Sequence, residues 1–158
     1  MFKNANIEGI IVKNLTKYTD QRGWLIETYR EDELEKKYLP AMSYISMAHP
    51  DIVRGPHEHV HQSDLFGFVG PSTFKLFLWD NRKNSPTYLN KMIVLAGENE
   101  PKSVLVPPGV VHAYKNIGNI LGMVTNYPNQ LFMGNGKKEK VDEIRHESDP
   151  KTDFKIED

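Results

Sequence analysis

The sequence predicts an all-β domain, a sandwich or barrel of short strands. Three observations predict it. Runs rich in β-branched and aromatic residues recur at positions 24–30, 42–48, 74–80, 103–106, 110–116 and 121–126. Turn signals such as Asp20-Gln21-Arg22-Gly23, Gly70-Pro71-Ser72 and Pro107-Pro108-Gly109 punctuate them at roughly the spacing of antiparallel sheets. The 158 residues, 39% hydrophobic and 26% charged, suit one domain spanning 1–158 with a real core.

Taken in order, residues 7–17 read as a first strand, carrying Ile10, Ile11, Val12 and Leu15. The turn at 20–23 leads into a strand at 24–30, with Trp24, Ile26 and Thr28 on one face. Residues 31–38 are rich in Glu, Lys and Leu and read as a short peripheral helix, ended by Pro40. A strand at 42–48 precedes the His49-Pro50-Asp51 loop. The run at 74–80, Phe74-Lys75-Leu76-Phe77-Leu78-Trp79-Asp80, is the strongest strand signal, apolar on both faces. Phe74, Leu76, Leu78, Val104 and Val106 are expected to face inward. After Phe132 the chain is rich in glycine and charge, and residues 141–146 have some helical character.

A net charge of −1 does not favour nucleic acid as a partner. No apolar run approaches the ~18 residues of a membrane span, and the N-terminal residues lack a signal-peptide core. A cytoplasmic setting is expected. With no cysteine, disulfides and thiolate metal sites are excluded.

The chain is organised around Val53-Arg54-Gly55-Pro56-His57-Glu58-His59-Val60-His61-Gln62. If 57–61 is extended, His57, His59 and His61 project from one face. His112 follows on a later strand. A lone histidine is ordinarily structural or exposed, and His49 and His146 are read so. Three alternating imidazoles, near Arg54, suit metal ligation or proton transfer beside an anionic substrate.

Two resemblances carry the reading further. Pro107-Pro108-Gly109-Val110-Val111-His112-Ala113-Tyr114-Lys115-Asn116 resembles the second motif of the cupin superfamily. His57-x-His59, with Asp64 and Gly70, resembles its first, Asp64 standing where a Glu is expected. This implies a cupin jelly roll, a double-stranded β-helix barrel. Almost the whole chain resembles the dTDP-4-dehydrorhamnose 3,5-epimerase family, through Asp20-Gln21-Arg22-Gly23-Trp24-Leu25-Ile26-Glu27, Val53-Arg54-Gly55-Pro56-His57, Trp79 to Tyr88, Thr125-Asn126-Tyr127 and Arg145 to Pro150.

That resemblance implies a nucleotide-sugar epimerase of deoxysugar or surface polysaccharide biosynthesis, acting on a 4-keto-6-deoxyhexose by proton abstraction beside the ketone, with no cofactor. His57 would be the base. Arg22 and Arg54 would meet the diphosphate, Trp24 and Glu27 would lie near the nucleoside, and His59 and His112 would border the sugar. The family forms homodimers with exchanged N-terminal segments, so a homodimer covering the outer face of strand 74–80 is expected. The chain also departs from the family. Its acid, a tyrosine, falls at Gly122 or Met123 here, which leaves Tyr127 as the candidate. The carboxylate that partners the base comes from a C-terminal segment not recognisable here, and Asp64 stands where a Lys would steady the enolate. Two alternatives stay open: a metal-binding cupin using His57, His59, Asp64 and His112 on Zn, Mn, Fe or Ni, and a non-catalytic sugar-nucleotide binder.

Overall fold

Residues 1–157 are described by a computed structural model. Its strands are β1 (Lys3–Asn4), β2 (Ile11–Asn14), β3 (Lys17–Asp20), β4 (Gly23–Ile26), β5 (Tyr44–Ala48), β6 (Val53–Glu58), β7 (Asp64–Phe68), β8 (Thr73–Asp80), β9 (Asn90–Gly97), β10 (Lys102–Val106), β11 (Val110–Asn116), β12 (Gly122–Asn126) and β13 (Ile144–Arg145). A six-stranded sheet runs β1-β9-β8-β11-β6-β13 and a five-stranded sheet runs β2-β10-β7-β12-β5. Strands β3 and β4 form a separate hairpin. Only the β1–β9 pairing is parallel among the described residues. The sheets pack as a β-sandwich, the expected jelly-roll architecture. Helical structure among the described residues is confined to 3-10 turns, and no helix is long and apolar enough to cross a membrane.

The core lies between the sheets. Phe74, Leu76 and Leu78 of β8 and Val104 and Val106 of β10 face into it, as their alternation predicts, with Phe66, Phe68, Val124 and Tyr114 around them. Full burial of each such side chain stabilises by about 1.5–3 kcal/mol. The opposite face of the six-stranded sheet carries a second cluster of Phe77, Trp79, Val111 and Ala113. The chain's own ends cover it: Phe154 meets Trp79 edge-on at 5.8 Å, with Phe2 and Ile156 alongside. The outer face of β8 is therefore covered within the chain, where the sequence reading assigned that task to a second subunit.

Several boundaries differ from expectation. The first strand breaks into β2 and β3, and the strand expected at 24–30 ends at Ile26. Residues 31–38 form two 3-10 turns, Glu31–Glu33 and Lys36–Tyr38. The stretch expected to be helical at 141–146 instead lays β13 along β6, pairing Ile144 with Glu58 and Arg145 with His57. The extended stretch at 57–61 stops at Glu58 and bends, so His61 turns out to solvent and does not join His57 and His59.

Candidate active site

The site is built where β6 and β11 pair. His57 lies directly opposite His112, and Arg54 opposite Tyr114. Two steps along β11 thus match three along β6, a bulge at Gly55-Pro56. Without it, alternation would send Arg54 and His57 to opposite faces; with it they share one. Gly55 sits at φ +86°, and a Cβ there would lie 2.5 Å from the His112 carbonyl oxygen, so glycine is required.

The rings of His57 and His112 stand 4.5 Å apart, and those of His57 and His59 5.6 Å. Asp64, at the start of β7, reaches the cluster from the facing sheet. Its Oδ2 lies 3.0 Å from His59 Nε2 and 3.3 Å from His112 Nε2, the latter approach too oblique for a hydrogen bond. Its Oδ1 accepts from Gln62 Nε2 at 3.0 Å and Asn126 Nδ2 at 2.8 Å. Asp64 is buried, which raises its pKa, but the close imidazoles of His112 and His59 outweigh burial and hold it well below the usual range. Burial lowers the His59 pKa; the bond to Asp64 and the Asp142 carbonyl at Nδ1 reverse this and raise it to about 8. Asp64 is thus one half of an ion pair with His59, not a bare anion facing substrate.

His57 has the opposite character. Burial, then the neighbouring His112 and His59, push its pKa far below 6.5, so its imidazole is neutral at pH 7. Its Nδ1 lies 3.9 Å from Glu143 Oε1, a carboxylate brought in by the segment leading into β13. Asp142 fastens that segment down: its carboxylate accepts from the backbone N–H groups of Val60, His61 and Gln62 at 2.8–2.9 Å. Two buried side-chain atoms have no hydrogen-bond partner among the described residues, His112 Nε2 and Asn126 Oδ1. Both belong to this cluster. Leaving a buried polar atom unpaired costs about 1–3 kcal/mol, which marks the place where a polar ligand would be welcome.

The sequence-predicted residues divide into two groups. His57, His59, Asp64 and His112 come together, and Arg54 joins their face, donating to the Met47 carbonyl at 2.9 Å. Arg22, Trp24 and Glu27 do not: Arg22 and Trp24 sit on the exposed β3–β4 hairpin, bound to Asp20 and stacked under Lys17, and Glu27 just beyond it pairs with Arg30. Tyr127 also lies elsewhere. One residue past inward-facing Asn126, it points to the outer side of the five-stranded sheet, where its hydroxyl meets Thr28 Oγ1 at 2.7 Å and its ring packs near Tyr29. Of Gly122 and Met123, where the resemblance puts the family's acid, Gly122 is buried, and a Cβ on it would lie 2.5 Å from Phe74 Cζ. Sequence reasoning missed Asn126 and Glu143. Asn126 shares the alternation that faces Val124 inward, a signal that was legible. Glu143 was not, because only the β13–β6 pairing brings it to His57.

A jelly-roll sandwich with an imidazole and carboxylate cluster between its sheets is an architecture of the cupin type. Residues 4–130 match the family described as dTDP-4-dehydrorhamnose 3,5-epimerase, and the chain belongs to that family. It is similar to a probable low-salt glycan biosynthesis epimerase, Agl13, of Haloferax volcanii, 34% identical over 80% of this chain and 81% of that one. It is also similar to the spore coat polysaccharide biosynthesis protein SpsL of Bacillus subtilis, 33% identical over 71% of this chain and 73% of that one. Among solved structures, a dTDP sugar isomerase from Desulfovibrio desulfuricans G20 shares the fold at TM-score 0.78 and 21% identity, covering 91% of this chain and 87% of that one.

Proposed function

We propose that the protein epimerises a nucleotide-linked 4-keto-6-deoxyhexose in deoxysugar or surface polysaccharide biosynthesis, without a cofactor. The observation that carries this is His57: a neutral imidazole with a carboxylate, Glu143, behind its Nδ1. That arrangement leaves Nε2 to take a proton from the carbon beside the ketone, while Glu143 steadies the imidazolium that forms. His112 Nε2 and Asn126 Oδ1, the buried atoms left without partners in this cluster, would meet the sugar's oxygen functions. Arg54 supplies a guanidinium for the diphosphate.

The exposed hairpin supports a homodimer within the same proposal. Arg22, Trp24 and Leu25 project from it with few partners of their own. In a dimer, the hairpin of one subunit would bring Arg22 and Trp24, with Glu27 beside it, to the nucleotide in the other. A cytoplasmic setting belongs to the same reading. The test is exchange: in D2O, a dTDP-4-keto-6-deoxyhexose followed by NMR should take up deuterium beside the ketone with wild-type protein and not with His57→Asn. Wild-type protein that catalyses no exchange would sink the proposal.

One observation favours a second reading. Single ligand atoms of His57, His59 and His112 lie within 4.8 Å of one another, the spacing of a divalent-metal site, with Asp64 adjacent. Against it, the Nε2 atoms of His59 and His112 both turn towards Asp64. Metal content of untagged protein separates the two readings.

A further inference from the structure

We propose that Tyr44 is the acid that protonates the enolate on the face opposite His57, an assignment that rests on the epimerase reading. Epimerisation needs a proton donor across the sugar ring from the base. The hydroxyls nearest to hand are otherwise engaged: Tyr114 is bonded to Ser46 at 2.6 Å deep in the core, and Tyr127 to Thr28 on the outer side of the sheet.

Tyr44 is placed differently. It begins β5, directly opposite Asn126 of β12. Alternation along β5 sends Tyr44, Ser46 and Ala48 inward, and the last two confirm it: Ala48 is in the core and Ser46 meets Tyr114. Tyr44 is therefore the outermost residue of an inward-facing file. Its hydroxyl accepts a hydrogen bond from Asn126 Nδ2 at 2.9 Å, and the same Nδ2 donates to Asp64 Oδ1 at 2.8 Å. Because Asn126 is the donor in that bond, the phenolic proton is left for another acceptor. The residue is 45% exposed, so substrate can reach it. β5 belongs to the five-stranded sheet and β6 to the six-stranded one, so Tyr44 and His57 come from the two facing sheets. Desolvation of this partly exposed phenol raises its pKa to about 12, which keeps it protonated at neutral pH.

The protons balance. His57 Nε2 takes the proton as the C–H bond breaks and the enolate forms. The Tyr44 O–H bond then breaks as a new C–H bond forms on the other face. The resulting phenolate takes a proton from water, and the imidazolium returns one to water.

Tyr44→Phe should keep deuterium exchange into a dTDP-4-keto-6-deoxyhexose near the wild-type rate and lose inversion by about 10²–10⁴-fold, the usual worth of general acid catalysis. Inversion by Tyr44→Phe at the wild-type rate overturns the assignment to Tyr44 while leaving the epimerase reading intact. Wild-type protein that neither exchanges nor inverts overturns the reading itself. Should the phenylalanine variant lose exchange as well, 3-fluorotyrosine at position 44 decides. A more acidic phenol should move the alkaline limb of inversion, and not that of exchange, to lower pH; an unmoved limb overturns the proposal.

Discussion

His57 and His112 are direct cross-strand partners, their rings 4.5 Å apart at 73° on the inner face of the six-stranded sheet. Each is held by a different part of the chain. His112 Nδ1–H donates to the Val110 carbonyl at 3.1 Å, which turns Nε2 towards Asp64. His57 instead has Glu143 of the C-terminal segment behind it. If His57 is the base, Glu143→Gln should reduce exchange into a keto sugar nucleotide while leaving dTDP affinity unchanged. Equal loss of both in a calorimetric and NMR comparison would show that Glu143 only holds the fold.

The metal reading makes a separate prediction. In the epimerase reading, exchange proceeds unchanged in EDTA and untagged protein carries less than stoichiometric metal. Chelator-sensitive exchange, with His59→Ala as damaging as His57→Ala, would hand the chemistry to a metal on His57, His59, Asp64 and His112.

Arg54 shares the inner face with His57 through the Gly55 bulge and is only partly engaged, by the Met47 carbonyl. Arg54→Ala should weaken dTDP binding by about 1.5–3 kcal/mol, the scale of a charge-assisted hydrogen bond. Unchanged affinity by titration calorimetry would remove Arg54 from the diphosphate site.

Gly122 is one of the two positions to which the resemblance assigns the acid, and the Phe74 ring occupies its side-chain space. Gly122→Ala should therefore destabilise the fold by about 1–3 kcal/mol through overpacking. Gly122→Tyr alone should not fold around the ring, and pairing it with Phe74→Ala should recover part of the loss. Urea unfolding measures both.

Asp80 provides a pH prediction. It is buried, which raises its pKa, but bonds from Arg82, Ser85 and Thr87 outweigh that and lower it to about 2. Its folded-state value lies below its unfolded one of about 3.9. The stabilisation, of order 2 kcal/mol, is therefore complete above about pH 4 and is lost as pH falls through about 2. Asp80→Asn should be less stable than wild type at pH 7, and its stability should fall less steeply over that acid window, as followed by thermal melting.

Alternation and turn chemistry are local, so the sequence by itself determined the β-sandwich, the inward set Phe74, Leu76, Leu78, Val104 and Val106, and the placing of His57, His59 and His112 together. Only the tertiary structure decided the rest. A bulge at Gly55 rotates Arg54 onto the site face, and a bend after Glu58 turns His61 away; neither breaks a pattern that periodicity can detect. Pairing between β13 and β6 decides that Glu143 backs His57, and packing of the tail decides that Phe154 covers Trp79. The face on which Tyr127 and Tyr44 lie follows from strand register, which depends on contacts between segments far apart in the chain and not on the residues flanking each tyrosine.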